Sequence, residues 1–236
     1  MIQVSCSSRP GLENRLRHHP EVEVVGTSDA AEIEWHQGTW HRKVRFGDIA
    51  TEIKGLIELM DNNPLVCTDE ASVPDAASTL ALIAVGPIIR AGILFETPSL
   101  LYSFDVEGNG VDSFLATEGW SDGATVGHAP QDFGGVLALT AVCAIETPPS
   151  LDDIDLIYDE AYGRSFFVRR DEESEWHASL VLGRPHAAYR LRISPDEPHS
   201  LLTVQVMADS QGKCGAAQLV HMMNVMCGFE ESVGIA

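Results

Sequence analysis

Residues 74–92 read PDAASTLALIAVGPIIRAG, and this stretch organises the chain around it. Pro74 suits a helix start, where its missing N–H is no loss, and Asp75 is placed to cap the first turn. From Ala76 to Ile89 the residues are apolar on nearly every side rather than along one stripe. A helix of that kind is buried all round, between a sheet and a second layer. At this length, and broken by Pro87, the run is too short to span a bilayer.

Upstream, Ile2 to Cys6 predicts a short strand, Pro10 to His18 one or two helical turns, and Val22 to Thr27 a buried strand. Glu32 to Phe46 alternates about a turn at Gln37-Gly38-Thr39, which predicts a hairpin. Asp48 to Met60 has apolar residues three and four apart, which predicts an amphipathic helix, and Leu65 to Thr68 a short strand. Downstream, Leu101 to Val106 and Val136 to Glu146 read as strands, with a Gly-, Asp- and Ser-rich loop from Glu107 to Gly127 between them. A helix opens at Pro149-Ser150 with Ile154, Ile157, Tyr158, Ala161 and Tyr162 as its apolar stripe. Strands are expected at Phe166 to Arg169, Trp176 to Leu182, Ala187 to Ile193 and Leu201 to Met207. Lys213 to Cys227 reads as a second buried helix, stopped by Gly228. The order predicts an α+β body attached to a small α/β head.

The 236 residues suffice for a real core, and 44% apolar with 21% charged residues is ordinary globular composition. Fifteen basic against 35 acidic residues give a formal charge of −20. Such a field repels phosphate backbones and anionic membranes, so neither nucleic acid nor a membrane is an expected partner. Ser5, Ser7, Ser8 and Arg9 interrupt any apolar N-terminal run, so no signal peptide is expected. Five cysteines without CxxC spacing fit reduced thiols and a cytoplasmic location better than disulfides or zinc.

Several motifs stand in a shared order. They include Tyr158-Asp-Glu-Ala-Tyr162, Phe167-Val168-Arg169, Asp209-Ser-Gln-Gly-Lys213-Cys-Gly-Ala-Ala-Gln218 and Met223-Asn224-Val-Met226-Cys-Gly228-Phe229-Glu230. Upstream lie Leu16, His19-Pro-Glu-Val-Glu-Val-Val25, Thr79-Leu-Ala-Leu-Ile83, Pro87-Ile-Ile-Arg-Ala-Gly92 and Gly135-Val-Leu-Ala-Leu-Thr140. Together they resemble N-acetyl-gamma-glutamyl-phosphate reductase, of the semialdehyde dehydrogenase superfamily. The resemblance implies a small, degraded Rossmann-like part over 1–73, on which a C-terminal helix within 212–236 packs. It also implies an α+β domain over 74–211 like the superfamily's glyceraldehyde-3-phosphate dehydrogenase-like C-terminal domain. That domain's sheet implies a homodimer.

The family reduces an acyl phosphate to an aldehyde with NADPH, using a cysteine that forms a thioester, a histidine acid/base and a Gly-rich turn for the pyrophosphate. Its cysteine lies in Pro-Gly-Cys-Tyr-Pro-Thr, directly before the buried helix. Counting back from Pro87–Gly92, this chain has Pro74-Asp75-Ala76-Ala77-Ser78-Thr79, and Ala76 falls on the cysteine. A methyl group cannot attack an acyl phosphate. The family's Arg-His-x-x-Pro-Glu stretch falls in Glu107 to Gly127, which has no histidine; His128 matches another family position. Ser5-Cys-Ser-Ser-Arg-Pro-Gly11 offers one glycine where a dinucleotide fingerprint needs several. Only 75 residues precede Ala76, against on the order of 140 for a full doubly wound half.

The expectation is therefore a catalytically inactive relative, a binding, scaffold or regulatory homodimer with no assigned catalytic, cofactor or metal-ligating residue. Two alternatives stand beside it. One is an NADP-dependent acyl-phosphate or semialdehyde oxidoreductase with a relocated nucleophile, Cys67 or Cys214, and His128. The other is a module for a small anionic metabolite, with a residual cleft around His128, Arg184 and Lys213. His18-His19 and the His36/His41 pair read as surface or packing groups, and Met222, Met223 and Met226 as core.

Overall fold

The computed structural model describes residues 1–106, 108, 110–150 and 152–235. Alternation in the first strand, β1 (Ile2–Cys6), turns Val4 and Cys6 inward. Helix α1 (Leu12–His18) carries the chain to β2 (Val22–Thr27), which pairs parallel to β1. The expected hairpin forms from β3 (Ile33–Gln37) and β4 (Trp40–Phe46), with Gly38 at a positive φ of 65° in its turn. β3 lies antiparallel to β1, and β4 parallel to β5 (Glu70–Val73), giving the order β2-β1-β3-β4-β5. Val4, Ile33, Trp35, Val44 and Ala71 face one core. Gln3, Glu23, Glu34, His36, His41 and Lys43 fall on the alternate, open or half-open positions. The sheet thus has an apolar side and a polar side, as one covered by helices on a single face must.

Val22 to Thr27 is the edge strand of this sheet, and only Val22 in it is buried. The helix expected over Asp48 to Met60 does not form. Ser72 N–H donates to Ile53 O and Gly55 N–H to Ser72 O, so these residues run beside β5 and find their backbone partners there. Only Ile57–Leu59 makes a single 3-10 turn. Leu65 to Thr68 is not a strand either; it ends helix α2 (Asn62–Cys67), which puts Cys67 at an exposed helix end.

Helix α3 (Ala76–Arg90) is capped as expected, Asp75 Oδ1 accepting from Ser78 N at 2.8 Å, and every residue from Ala77 to Ile89 is buried. It packs on a second sheet made of β6 (Ser99–Tyr102), β7 (Thr125–His128), β8 (Val136–Glu146), β9 (Val168–Arg170), β10 (Ala187–Ser194) and β11 (His199–Asp209). Their order is β7-β6-β8-β11-β10-β9. Leu139, Ala141, Cys143, Leu202, Val204, Val206 and Tyr189 meet α3 and α5 (Asp152–Tyr162) in one core. The segment expected as loop before β7 also holds α4 (Gly110–Leu115), because Val111, Phe114 and Leu115 bury against α3. Trp176 to Leu182 forms no strand. Both edges of β10 are already taken by β9 and β11, and the segment instead makes one 3-10 turn at Ala178–Leu180, packing over Val136, Ala188 and Met207.

The last helix, α6 (Ala216–Cys227), returns to the first sheet and packs on α1, α2, β4 and β5. Gly228 ends it at a φ of 72°. Two mixed sheets and six α-helices among the described residues make an α+β to α/β fold. No described helix is long and apolar enough to cross a membrane.

Candidate functional site

β5 delivers the chain to the first turn of α3, so the carboxyl end of the first sheet and the start of the buried helix meet at Pro74–Ala76. Neighbours stitch this corner closed. Gln218 Nε2 donates to Pro74 O and Thr79 Oγ1, both at 3.1 Å, and Tyr102 Oη donates to Ala77 O at 3.1 Å. Cys214 Sγ lies 3.9 Å from Ala76 O, buried, and burial pushes its thiol well above the usual range. A methyl placed on Gly110 would stand 2.5 Å from Asp75 Oδ2, so only glycine lets α4 approach the cap. Among the described residues no histidine hydrogen-bonds a cysteine.

The residues of the expected anion cleft have other partners. His128 is half-exposed, its Nε2 3.6 Å from Asp105 Oδ1. Lys213 is buried, and its ammonium donates to both oxygens of Glu58 at 2.6 and 2.7 Å. Burial works against the Glu58 carboxylate, but the Lys213 ammonium outweighs it and holds the group below the usual carboxylate range. Arg184 is exposed, although its backbone abuts Gly212. No hydrogen bond or ion pair among the described residues joins His128, Arg184 and Lys213. Cys67, the other thiol considered, is exposed at the end of α2, which packs on α6.

A second concavity, of about 390 Å³, opens where β1, β2 and β4 end, lined by Ser7, Ser28, Asp29, Glu32, Arg45 and Asp48 among others. The Arg9 guanidinium lies on the Phe46 ring at 3.9 Å and on Glu32 at 2.6 Å. Burial opposes the charge on Glu32, yet hydrogen bonds from Arg9 and Ser7 keep it ionised and below the usual range. Gly11, the one glycine of this turn, has Gln211 Oε1 2.7 Å from where a Cβ would stand. His36 and His41 stack at 4.5 Å on the hairpin, and no described group of three or more His, Cys, Asp or Glu is set to hold a metal.

The outer face of the second sheet carries two arginines that sequence reasoning missed. Arg190 and Arg192 stand two apart in β10, so the pleat sends both the same way. Alternation in YRLRI, residues 189–193, was the available signal.

A buried helix links a βαβ-headed sheet to a mixed six-stranded sheet, an α+β to α/β arrangement of the kind expected from the sequence. Comparison with known proteins agrees with this at a distance. The N-acetyl-gamma-glutamyl-phosphate reductase of Corynebacterium glutamicum (strain R) is 23% identical over 232 residues, which covers 85% of this chain and 63% of the reductase. The chain thus spans less than two thirds of that relative's length, and the similarity supports a distant relationship. No family model matches the chain.

Proposed function

We propose that this chain is a non-catalytic relative of the acyl-phosphate reductases and acts as a binding or regulatory protein. The observation that carries the reading is Ala76, a methyl group at the first residue of α3. The reductase-type reaction needs a thiolate there, and the neighbouring Cys214 is sealed and held protonated by burial. The crevice at the ends of β1, β2 and β4 does not fit a dinucleotide. A pyrophosphate entering it would meet the ionised Glu32 and a rim of Asp29 and Asp48, while Arg9 is committed to Phe46 and Glu32. Nucleophile and cofactor seat act as a unit in such chemistry, so loss of both leaves little of the rate.

Pairing of two copies through the second sheet belongs to the same proposal. On its outer face Phe95 stacks on His199 at 3.6 Å, and Phe95 and Leu201 are about half exposed, beside Ala144 and Val142. Apolar residues in such number on one open face suit a partner sheet.

Calorimetric titration with NADPH tests the reading, run beside the Corynebacterium glutamicum reductase. No heat of binding and no NADPH consumption with an acyl phosphate are expected from this chain. Tight NADPH binding, or turnover that Cys214→Ser or Cys67→Ser abolishes, would overturn it.

A further inference from the structure

We propose that the free edge of β2, in the first sheet, docks a short extended segment of a partner protein in which basic residues alternate with apolar ones. The inference does not rest on the non-catalytic reading or on pairing through the second sheet. β2 ends the order β2-β1-β3-β4-β5, so one of its edges has no strand beside it. Glu23, Val25, Gly26 and Thr27 are exposed there, as are Glu21 and Asp29 beyond its two ends. Register fixes which backbone groups are open. Ile2 N–H donates to Glu21 O, and Ile2 and Val4 stand opposite Val22 and Val24. In a parallel ladder Ile2 and Val4 bond the residues on either side of those partners, so Glu21 and Glu23 turn their backbone to β1 while Val22 and Val24 turn theirs outward. Val22 N–H is spent on His19 O, which leaves Val22 O and both polar groups of Val24 without a backbone partner among the described residues. Val4 pairs with Val24 and Ser5 with Gly26, so Val25 is the extra residue of a bulge. The bulge shortens the open ladder, and the segment it takes is about five residues long, an ordinary strand length. β2 has neither the proline nor the lysine that guards many sheet edges.

Charge and alternation decide the occupant. Val22 and Val24 belong to the apolar side of the sheet, in one core with Leu12 and Leu16 of α1. Glu23 stands on the polar side, where Gln3 Nε2 donates to Glu23 Oε2 at 3.1 Å. Among the described residues no ion pair joins Glu21, Glu23 or Asp29 to a cation. A second copy presenting the same edge would bring its own Glu21 and Glu23 to these, and like charges set opposite each other destabilise a strand pair. A foreign strand with lysine or arginine beside Glu23 gains instead, and the −20 charge of the chain draws it in. Its intervening β-branched residues then lie beside Val22 and Val24. Strand addition divides the work in this way, backbone bonds giving affinity and alternate side chains giving choice.

Calorimetry with the capped peptide Lys-Val-Arg-Val-Lys in about 50 mM salt, where screening is weak, is the test. Two control peptides separate the causes. The same peptide N-methylated at every residue keeps the charge and loses the ladder donors, and Glu-Val-Glu-Val-Glu keeps the strand pattern and reverses the charge. The basic peptide is expected to bind, and each control at least about tenfold more weakly. Glu23→Lys, an exposed change that leaves the unfolding midpoint unmoved, is expected to weaken the basic peptide about fivefold. Bound peptide should also slow hydrogen exchange at the Val24 amide. Equal binding of the N-methylated peptide, undiminished binding by Glu23→Lys, an unprotected Val24 amide, or no binding at millimolar concentration would each sink the proposal. So would protection of Val24 that rises with the concentration of the chain alone, because the edge would then belong to a second copy. NADPH binding would overturn the non-catalytic reading and leave this edge untouched.

Discussion

Lys213 shows how one side chain settles between two readings. As a lysine near a helix start in an acidic chain, it looks available to an anion. Its ammonium is instead 1% exposed and clasped by Glu58, whose side chain is 5% exposed. Phe167 lies beside it, the ammonium 5.7 Å from the ring centroid, and Ser165 Oγ reaches Glu58 at 3.4 Å. A pair so placed is costly to break and cheap to replace, because what destabilises is the charge left alone. Lys213→Met should therefore lower stability by about 3–5 kcal/mol. Adding Glu58→Leu should restore most of that loss. Urea unfolding of the two single variants and the double closes the cycle. If Lys213→Met were as stable as the parent, the lysine would be free for a ligand and the buried pair would carry no weight. Arg42 is the other buried cation, and it is satisfied differently. Its guanidinium donates to the carbonyls of Leu65, Val66, Thr68 and Met226, gathering the ends of α2 and α6 onto β4.

At the scale of elements, α3 contains its own defect and the repair of it. Pro87 stands inside the helix and has no N–H to give to Ile83 O, the carbonyl four residues earlier. Tyr162 Oη, from α5, lies 3.3 Å from Ile83 O and 3.2 Å from Leu82 O, so a hydroxyl supplies the donor the proline lacks. Tyr162→Phe should cost about 1–2 kcal/mol, the penalty of a buried acceptor left dry. In a Pro87→Ala background the same change should cost measurably less, because residue 87 again has an N–H. Equal costs in both backgrounds would show that the hydroxyl serves some other end. The sequence announced α3 with its Asp75 cap, the β3–β4 hairpin, α5, α6 and the long strands β8 and β11, because each is set by local periodicity and caps. It did not announce the stretch after Asp48. Ile49, Ile53, Leu56, Ile57 and Met60 have helical spacing, but β5 offers Ile53 and Gly55 backbone partners that no local rule records. Trp176 to Leu182 failed for the converse reason, since β10, the strand that follows it, already has a partner on each edge. Of the candidate site, Ala76, on which the proposed reading turns, is reached by counting along the chain. The Lys213–Glu58 clasp joins residues 155 apart, and the Arg190–Trp176 contact depends on a turn that looked like a strand.

The molecule as a whole is tied by neutral histidines. Residues 229–235 fold back over α6, with Asn224 Nδ2 donating to Glu231 O and Val233 O, and Ile235 buried. His19 and His221 fasten this strap. His19 Nε2 donates to Asn224 Oδ1 at 2.9 Å while its Nδ1 accepts from Glu21 N at 3.1 Å, so protonation would break a bond. His221 donates to Glu231 at 2.9 Å, and its Nδ1 is buried without an acceptor to receive a second proton. Burial lowers both pKa values, more than their hydrogen-bond partners raise them. His186, at the approach to β10, is lowered to about 4 by burial and then by Arg169 and Arg184. All three are favoured neutral in the fold and titrate near 6.5 when unfolded. Their stabilisation is thus complete above pH 6.5 and is lost as pH falls from there toward the folded values, where the unfolded chain binds more protons. Glu58, Glu32 and Glu231, lowered in the fold, withdraw further stability below about pH 4.5. Relief of the −20 charge acts in the opposite direction, but salt screens that long-range repulsion and leaves the buried histidines nearly untouched. In about 0.3 M salt, within the screening range, denaturant unfolding should lose stability as the pH falls from 6.5 to 5, on the order of 1 kcal/mol per pH unit from His186 alone, with His19 and His221 acting in the same direction. His186→Gln should flatten that slope. A midpoint that stays level or rises as the pH drops would mean charge repulsion, not the buried imidazoles, governs how this fold responds to acid.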